Sequence, residues 1–134
     1  FVVRKRIKEY LDNLLKEARE KGYVETLFGR RRPTPDVLSS NFIVRTGAER
    51  AAQNMPIQGT EADLMKRAMI ALDRVLPQGT EMVMQVHDSV IVECKEDLAD
   101  EVGQILKREM EAVAPELPVK LAVDVSVGKN WGEL

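Results

Sequence analysis

A short turn between two apolar segments contains the residues whose types most suggest chemistry. Residues 81–86 (EMVMQV) and 89–94 (SVIVEC) have strand composition, and His87 and Asp88 between them predict a two-residue hairpin turn. Neither turn residue is glycine, so the turn requires unusual backbone dihedral angles, which are frequent at functional sites. A carboxylate at such a tip can bind Mg²⁺, which takes one or two carboxylates and otherwise water and phosphate oxygens. Aspartate also favours turns for structural reasons, which is the alternative interpretation.

A second group of polar residues recurs at helical spacing in the middle of the chain. Arg50, Asn54 and Gln58 are four residues apart, so a continuous helix would place them on one face. Pro56 predicts a break in that helix, across which the three side chains could still line one groove. Arg, Asn and Gln donate hydrogen bonds to phosphates and to acceptor atoms in the DNA minor groove. The group is therefore a candidate DNA contact, and a solvated helix face is the structural alternative.

Basic residues are concentrated in the first part of the chain. Residues 1–50 contain 12 Lys and Arg against 7 Asp and Glu, whereas residues 51–134 contain 8 against 15. Three consecutive basic residues follow a predicted turn, namely Arg30, Arg31 and Arg32. A basic surface suits a phosphate-bearing partner, and an acidic one suits a metal ion. Solvated helix faces and a solvated turn are the structural alternatives for this asymmetry.

The first third of the chain predicts a helix, a strand and a loop. Apolar residues between Val3 and Ala18 recur at three- and four-residue intervals, which predicts a helix that ends at Gly22. Residues 23–28 have strand composition. The arginines and prolines that follow predict a loop to about Asn41.

The remaining two thirds predict further helices and a final strand. Two helices, 42–54 and 61–76, are predicted on either side of Pro56, with Thr60 as the cap of the second. After the hairpin, the spacing predicts an amphipathic helix from Lys95 to Val113. Alternation of apolar and polar residues predicts a half-buried strand over 119–127. These elements predict the α+β class, an antiparallel sheet with helices packed on one face.

Length and composition limit the classes of protein that the chain can represent. A length of 134 residues suits one domain, and 44% hydrophobic with 31% charged residues is the balance of a globular protein. No run of about 18 uncharged apolar residues occurs, which excludes a transmembrane helix. One cysteine, Cys94, and one histidine exclude an internal disulfide and a usual zinc site, and they fit a reducing cytoplasm. The first residue is Phe1 rather than methionine, which indicates a fragment or processed product.

Three longer motifs carry a resemblance to a known family. They are GYVETLFGRRR at 22–32, ERAAQNMPIQGTEADLMKRAM at 49–69 and MQVHDSVIVEC at 84–94. In order and separation they resemble the last third of the polymerase domain of family A DNA polymerases, the family of the bacterial DNA polymerase I enzymes. The sequence VDVSVGKNW at 123–131 is similar to the C-terminal end of that family. The resemblance covers essentially the whole chain, and three long motifs in register make it specific.

The resemblance implies a fold, an activity and partners. The fold is that of a right hand, with about 1–50 as the end of the fingers plus a basic hairpin and about 51–134 as the palm. The implied activity is two-metal addition of deoxynucleotides to a primer 3′ end, with two Mg²⁺ ions in the complete enzyme. The implied partners are primer-template DNA, deoxynucleoside triphosphates and the remainder of the polymerase chain, without a membrane. The implied location is the cytoplasm, in association with the nucleoid.

Matched position by position, the resemblance also implies a role for each candidate residue. Asp88 matches the aspartate that holds the catalytic metal ions, and His87 matches the histidine that contacts the primer end. The residues that match minor-groove contacts to template and primer near the newest base pair are Arg50, Asn54 and Gln58. The residues that match a basic segment close to the template are Arg30, Arg31 and Arg32.

One departure from the family pattern and one absence keep other interpretations open. Ser89 follows the metal-binding aspartate where the family usually has glutamate, which puts rate, metal preference or fidelity in doubt. The second metal-binding aspartate and the fingers helix that holds the triphosphate do not occur in these 134 residues. We therefore expect the isolated chain to be inactive, as one piece of a larger enzyme. The alternatives are a non-catalytic DNA-binding platform derived from a polymerase palm, which Ser89 favours, and a purely structural interaction domain.

Overall fold

The computed structural model describes residues 4–134, in which helices alternate with pairs of short strands. The helices are α1 (Lys5–Lys21), α2 (Phe42–Val75) and α3 (Ala99–Glu111), with short 3-10 helices at Pro35–Leu38, Glu96–Leu98 and Trp131–Glu133. The strands are β1 (Tyr23–Glu25), β2 (Arg31–Pro33), β3 (Glu81–Val86) and β4 (Ser89–Glu93). Within the described chain β1 pairs with β2 and β3 with β4, both antiparallel, which confirms the α+β class. The chain divides into two units, one ending at Asp63 and the other beginning at Leu64.

The first helix ends where the sequence predicts. Gly22 adopts a φ of 79°, and its N–H donates a hydrogen bond to the carbonyl of Ala18 at 3.1 Å. Glycine takes this left-handed conformation without a steric penalty, so the helix ends there readily. Leu14 and Ala18 are the buried members of the predicted apolar stripe, whereas Val3 lies outside the described residues.

The basic segment forms a β-hairpin, where the sequence predicts a strand over 23–28 followed by a loop. β1 contains only three residues, and the register pairs Val24 with Arg32 and Glu25 with Arg31. The prediction of a loop through the arginines was therefore wrong. The physical reason is that β2 contains only polar residues and proline, so its pairing with β1 leaves no periodic apolar pattern in the sequence.

A single helix, α2, replaces the two helices that the sequence predicts on either side of Pro56. A proline inside a helix lacks one N–H donor and costs about 3 kcal/mol. Burial of Ala52 and Pro56 in the first unit offsets this cost, because tertiary packing commonly outweighs local propensity. Thr60 does not cap a second helix as predicted, since its hydroxyl donates to the carbonyl of Pro56 within α2. None of the described helices is long and apolar enough to cross a membrane.

The core of the first unit holds the β1–β2 hairpin against α2. Its buried members are Ala18, Val24, Val37 and Ala52, and Ala48 and Met55 pack against them. The approach is closest at Gly59, where an added Cβ atom would lie 2.6 Å from Cγ2 of Thr26. Real Cβ atoms do not tolerate such a distance, so this position of α2 requires glycine as long as Thr26 stays in place.

The second unit contains the hairpin that the sequence predicts over 81–94. The pairing of β3 with β4 extends as far as Val86, which lies opposite Ser89. His87 and Asp88 are left between them as a two-residue turn. A β-bulge follows Met82 and interrupts the regular register of β3. The prediction of a tight turn formed by a histidine and an aspartate is thus confirmed.

The last part of the chain departs from the sequence pattern. α3 confirms the predicted amphipathic helix, with Val102 and Ile105 as its buried residues. Residues 119–127, however, do not form the predicted strand. The N–H of Val123 donates to a carboxylate oxygen of Glu111 at 3.1 Å rather than to a neighbouring strand. Alternation predicts which side chains share a face, but a strand also needs a pairing backbone, which no described residue provides here.

Candidate functional site

The turn at the tip of the β3–β4 hairpin is strained and is held by side chains. His87 has a φ of 49° and is the one residue other than glycine with a positive φ between residues 4 and 134. Nε2 of Gln85 donates to the carbonyl of His87 at 2.8 Å, and the hydroxyl of Ser89 donates to the carbonyl of Val86 at 2.9 Å. Such strain costs about 1–3 kcal/mol and persists only where surrounding bonds compensate for it. Gln85 and Ser89 provide these bonds, so they fix the backbone that carries the next residue.

Asp88 is exposed at this tip, and its carboxylate forms no hydrogen bond or ion pair with any other residue of the described chain. Carboxylate oxygen is the ligand that Mg²⁺ prefers, so the type of donor fits a divalent cation. No group of three or more His, Cys, Asp or Glu residues able to hold a metal ion occurs among residues 4–134. Asp88 is therefore not part of such a group, and a complete metal site at this turn requires further ligands.

The polar stripe on α2 is more regular than the sequence predicts, because the helix continues through Pro56. Arg50, Asn54 and Gln58 are all exposed and follow one face at intervals of four residues. Ala52, which is fully buried, marks the opposite face of the helix. None of the three stripe residues bonds another described residue through its side chain, so their donors are directed to solvent.

The three consecutive arginines have three different environments. Nε of Arg30 lies 2.7 Å from Oδ1 of Asp63. Nε of Arg31 lies 3.4 Å from a carboxylate oxygen of Glu25, which is its partner across the hairpin. Arg32 is exposed and forms no ion pair within the part of the chain that the structure describes. The sequence predicts one basic segment, whereas the structure leaves the charge of Arg32 the most available of the three.

Asp63 is a buried polar residue that none of the sequence motifs singles out. It is only 7% exposed, and its Oδ2 accepts a hydrogen bond from the hydroxyl of Thr26 at 2.7 Å. The same hydroxyl oxygen accepts hydrogen bonds from the backbone N–H of Phe28 at 3.3 Å and from that of Arg30 at 3.2 Å. Asp63 follows Ala52 by about three helical turns, so it lies on the buried face of α2. A carboxylate at an apolar position of the helical pattern was the signal that could have revealed it.

The candidate residues fall into the two units. The arginines, the α2 stripe and Asp63 belong to the first unit, and the His87–Asp88 turn belongs to the second. Each unit therefore presents a different kind of chemistry: cationic and amide donors in the first, and an exposed carboxylate in the second.

Comparison with known proteins identifies the family. The family model of DNA polymerase family A matches residues 1–133. The chain belongs to DNA polymerase family A. Among curated members of this family, the thermostable DNA polymerase I of Thermus filiformis is 48% identical over 96% of this chain. DNA polymerase I of Streptococcus pneumoniae is 48% identical over 95% of this chain. This family A chain spans 15% of the length of each of these two relatives.

A solved structure of the family has the same fold. The polymerase domain of Pol1 from M. smegmatis, in complex with DNA primer-template and dNTP, is 40% identical to this chain with a TM-score of 0.87. The similarity covers 92% of this chain and 22% of that chain. It confirms the α+β polymerase fold that the three sequence motifs predict.

Proposed function

We propose that this family A chain functions as part of a DNA-directed DNA polymerase, which adds deoxynucleotides to the 3′ end of a primer. Support comes from relatives named DNA polymerase I and from similarity to a polymerase domain in complex with primer-template and dNTP. In this proposal residues 1–50 form the end of the fingers and residues 51–134 form the palm. The remainder of the polymerase supplies the triphosphate-binding helix and the other metal ligands. Because DNA is the substrate, we expect association with the nucleoid in the cytoplasm.

The observation that carries this proposal is the exposed carboxylate of Asp88 at the tip of a bonded, strained turn. Asp88 would hold one Mg²⁺ ion together with a carboxylate from the remainder of the polymerase. When bound, two such ions favour ionisation of the primer hydroxyl and neutralise charge on the transferred phosphate. His87 is exposed next to Asp88, where its imidazole would contact the primer end. In this proposal the turn would hold a metal ligand and a primer contact next to each other.

The α2 stripe would position the duplex. Asn54 and Gln58 would donate to minor-groove acceptors, which lie at similar places in all correct base pairs. Arg50 would contact the same groove or the adjacent backbone, and Arg32 would contact phosphate. Support for this assignment is the exposure of all four side chains and their lack of partners within residues 4–134.

The test is Asp88→Asn in the complete polymerase. We expect the variant to bind primer-template with nearly unchanged affinity and to lose extension by about a thousandfold or more, since a metal site supplies several kcal/mol of transition-state stabilisation. Single-turnover extension rates and equilibrium DNA binding, both measured over a titration of Mg²⁺, separate the two effects. Asp73→Asn is the matched control, because Asp73 is an exposed aspartate on α2. Near-normal extension by the Asp88→Asn enzyme would refute the role of Asp88.

A second candidate function is a non-catalytic DNA-binding platform derived from a polymerase palm. Ser89 favours it, because its hydroxyl is bonded within the turn and does not provide a second carboxylate beside Asp88. In that case the unaltered protein binds primer-template without extending it, and Asp88→Asn changes nothing. A purely structural interaction domain differs from both, since it would show no salt-dependent affinity for primer-template at two salt concentrations.

A further inference from the structure

A buried carboxylate connects the basic hairpin to α2. Burying a charge costs several kcal/mol unless it is paired and hydrogen-bonded, and Asp63 is 7% exposed. Oδ2 of Asp63 accepts a hydrogen bond from the hydroxyl of Thr26, and Oδ1 accepts one from Nε of Arg30, both at 2.7 Å. Charge-assisted bonds of this length are among the strong ones in proteins. We call these three residues, Thr26, Arg30 and Asp63, the carboxylate clamp.

The clamp fixes the backbone of the β1–β2 turn as well as its side chains. The hydroxyl oxygen of Thr26 accepts hydrogen bonds from the backbone N–H groups of Phe28 and Arg30. The N–H of Thr26 in turn donates to the carbonyl of Arg30 at 2.8 Å. A second attachment to α2 lies close by, where the N–H of Leu27 donates to the hydroxyl of Thr60 at 3.1 Å. The turn is thereby held at two points of the same helix, about one helical turn apart.

The register of the hairpin determines which arginine this attachment positions. Arg32 pairs with Val24, and paired residues of an antiparallel hairpin place their side chains on the same face. Val24 is 1% exposed and packs with Ala52 of α2, so Arg32 lies on the face of the hairpin that meets α2. Arg31 lies on the other face, where its guanidinium is 4.4 Å from the centre of the Tyr23 ring.

We propose that Asp63 is a positioning residue for DNA binding, which acts through the carboxylate clamp to hold the β1–β2 hairpin, and with it Arg32, in place on α2. In this arrangement Arg30 serves the clamp, and Arg32 is the member of the basic segment that contacts a DNA phosphate. The inference rests on the proposed function, since it assumes that the first unit binds primer-template. It divides three adjacent arginines into separate roles, which their sequence alone does not do.

The experiment measures primer-template affinity of the complete polymerase as a function of salt. Loss of one phosphate contact lowers the slope of log Kd against log salt by about 1 and weakens binding about fivefold near 0.15 M salt. We expect Arg32→Ala, Asp63→Asn and Arg30→Ala each to show this loss, with a raised KM for primer-template and kcat unchanged. Glu61→Gln is the matched control, because Glu61 is an exposed carboxylate two residues before Asp63 on the same helix. That variant should keep the unaltered slope.

A double variant separates positioning from direct contact. If Arg30 acts through the clamp, Arg30→Ala combined with Arg32→Ala lowers the slope by about 1, as Arg32→Ala does alone. A decrease of about 2 would show that Arg30 itself contacts phosphate and would overturn the inference. Because Arg30 is about half exposed, we expect the variants with Arg30→Ala to fold. The double variant therefore tests the inference even where Asp63→Asn does not fold.

Two other outcomes have distinct meanings. If Asp63→Asn folds and binds with the slope of Glu61→Gln while Arg32→Ala loses affinity, the clamp does not position DNA and the inference fails alone. If the unaltered polymerase shows no salt-dependent affinity for primer-template, the proposed function fails and the inference falls with it.

Discussion

Gly59 lies where α2 passes closest to the β1–β2 turn, and its replacement by alanine tests that packing directly. The added Cβ atom would lie 2.6 Å from Cγ2 of Thr26 and 3.5 Å from Cε of Met55. The end of the methionine side chain can move aside. The methyl group of Thr26 cannot turn away without also rotating the hydroxyl that donates to Asp63 at 2.7 Å.

Two opposing contributions determine the size of the effect. Alanine is favoured over glycine inside a helix by about 1 kcal/mol. Forcing an extra methyl group into a packed contact costs about 1–3 kcal/mol, and losing a hydrogen bond to a buried group costs a similar amount. The unfavourable contributions are together the larger, so we expect Gly59→Ala to lower the free energy of unfolding by about 1–5 kcal/mol.

A double-mutant cycle in the complete polymerase checks this reasoning, with the free energy of unfolding obtained from denaturant titration. Thr26→Ser removes Cγ2 and keeps the hydroxyl, so in that background Gly59→Ala should become stabilising by up to about 1 kcal/mol. Gly47→Ala is the control, because no atom lies within 4 Å of a Cβ added there in the same helix. Equal destabilisation by Gly59→Ala with and without the Thr26 methyl group would refute the steric argument.

Two further predictions concern the second unit. Ser89→Ala removes the bond to the Val86 carbonyl, worth about 0.5–1.5 kcal/mol, so we expect extension to slow by up to about tenfold at unchanged DNA affinity. Ser89→Thr should restore the rate, and an unaltered rate in the alanine variant would contradict the role of the hydroxyl. A backbone hydrogen bond and the side chain of Arg67 lower the pKa of Glu116 below its ordinary 4.5. Its ionised form is therefore favoured by folding, and this stabilisation is present above pH 4.5 and is lost as pH falls through the lowered value. In thermal unfolding experiments, the complete polymerase should be more stable than its Glu116→Gln variant at neutral pH, and this difference in stability should disappear in acid. A difference in stability that grew on acidification would contradict the assignment.

Local signals account for the parts of the fold that sequence reasoning predicts well. The end of α1 at Gly22 depends on one residue's freedom to adopt a positive φ. The β3–β4 hairpin depends on two adjacent apolar strands and the two residues between them, His87 and Asp88. Contacts of this kind form between residues that are near one another along the chain, so their pattern is visible without the fold.

The elements that the sequence predicts wrongly depend on partners far along the chain. Pro56 interrupts a helix by local propensity, yet packing of its face in the first unit keeps α2 continuous. The alternating residues 119–127 specify a face but not a pairing backbone, and within the described chain the segment is not a strand. Propensity and periodicity contain no information about such distant neighbours.

The family, the chemical type of the candidate residues and the turn that presents Asp88 can all be predicted from the order of the residues. Which of the three adjacent arginines keeps an available charge depends on the folded chain. That outcome depends on Asp63, which is 33 residues from Arg30 in the chain and 2.7 Å from it in space. Residue types establish what a side chain can bind, whereas burial and pairing, which arise only on folding, establish which of those groups remain available to bind a partner.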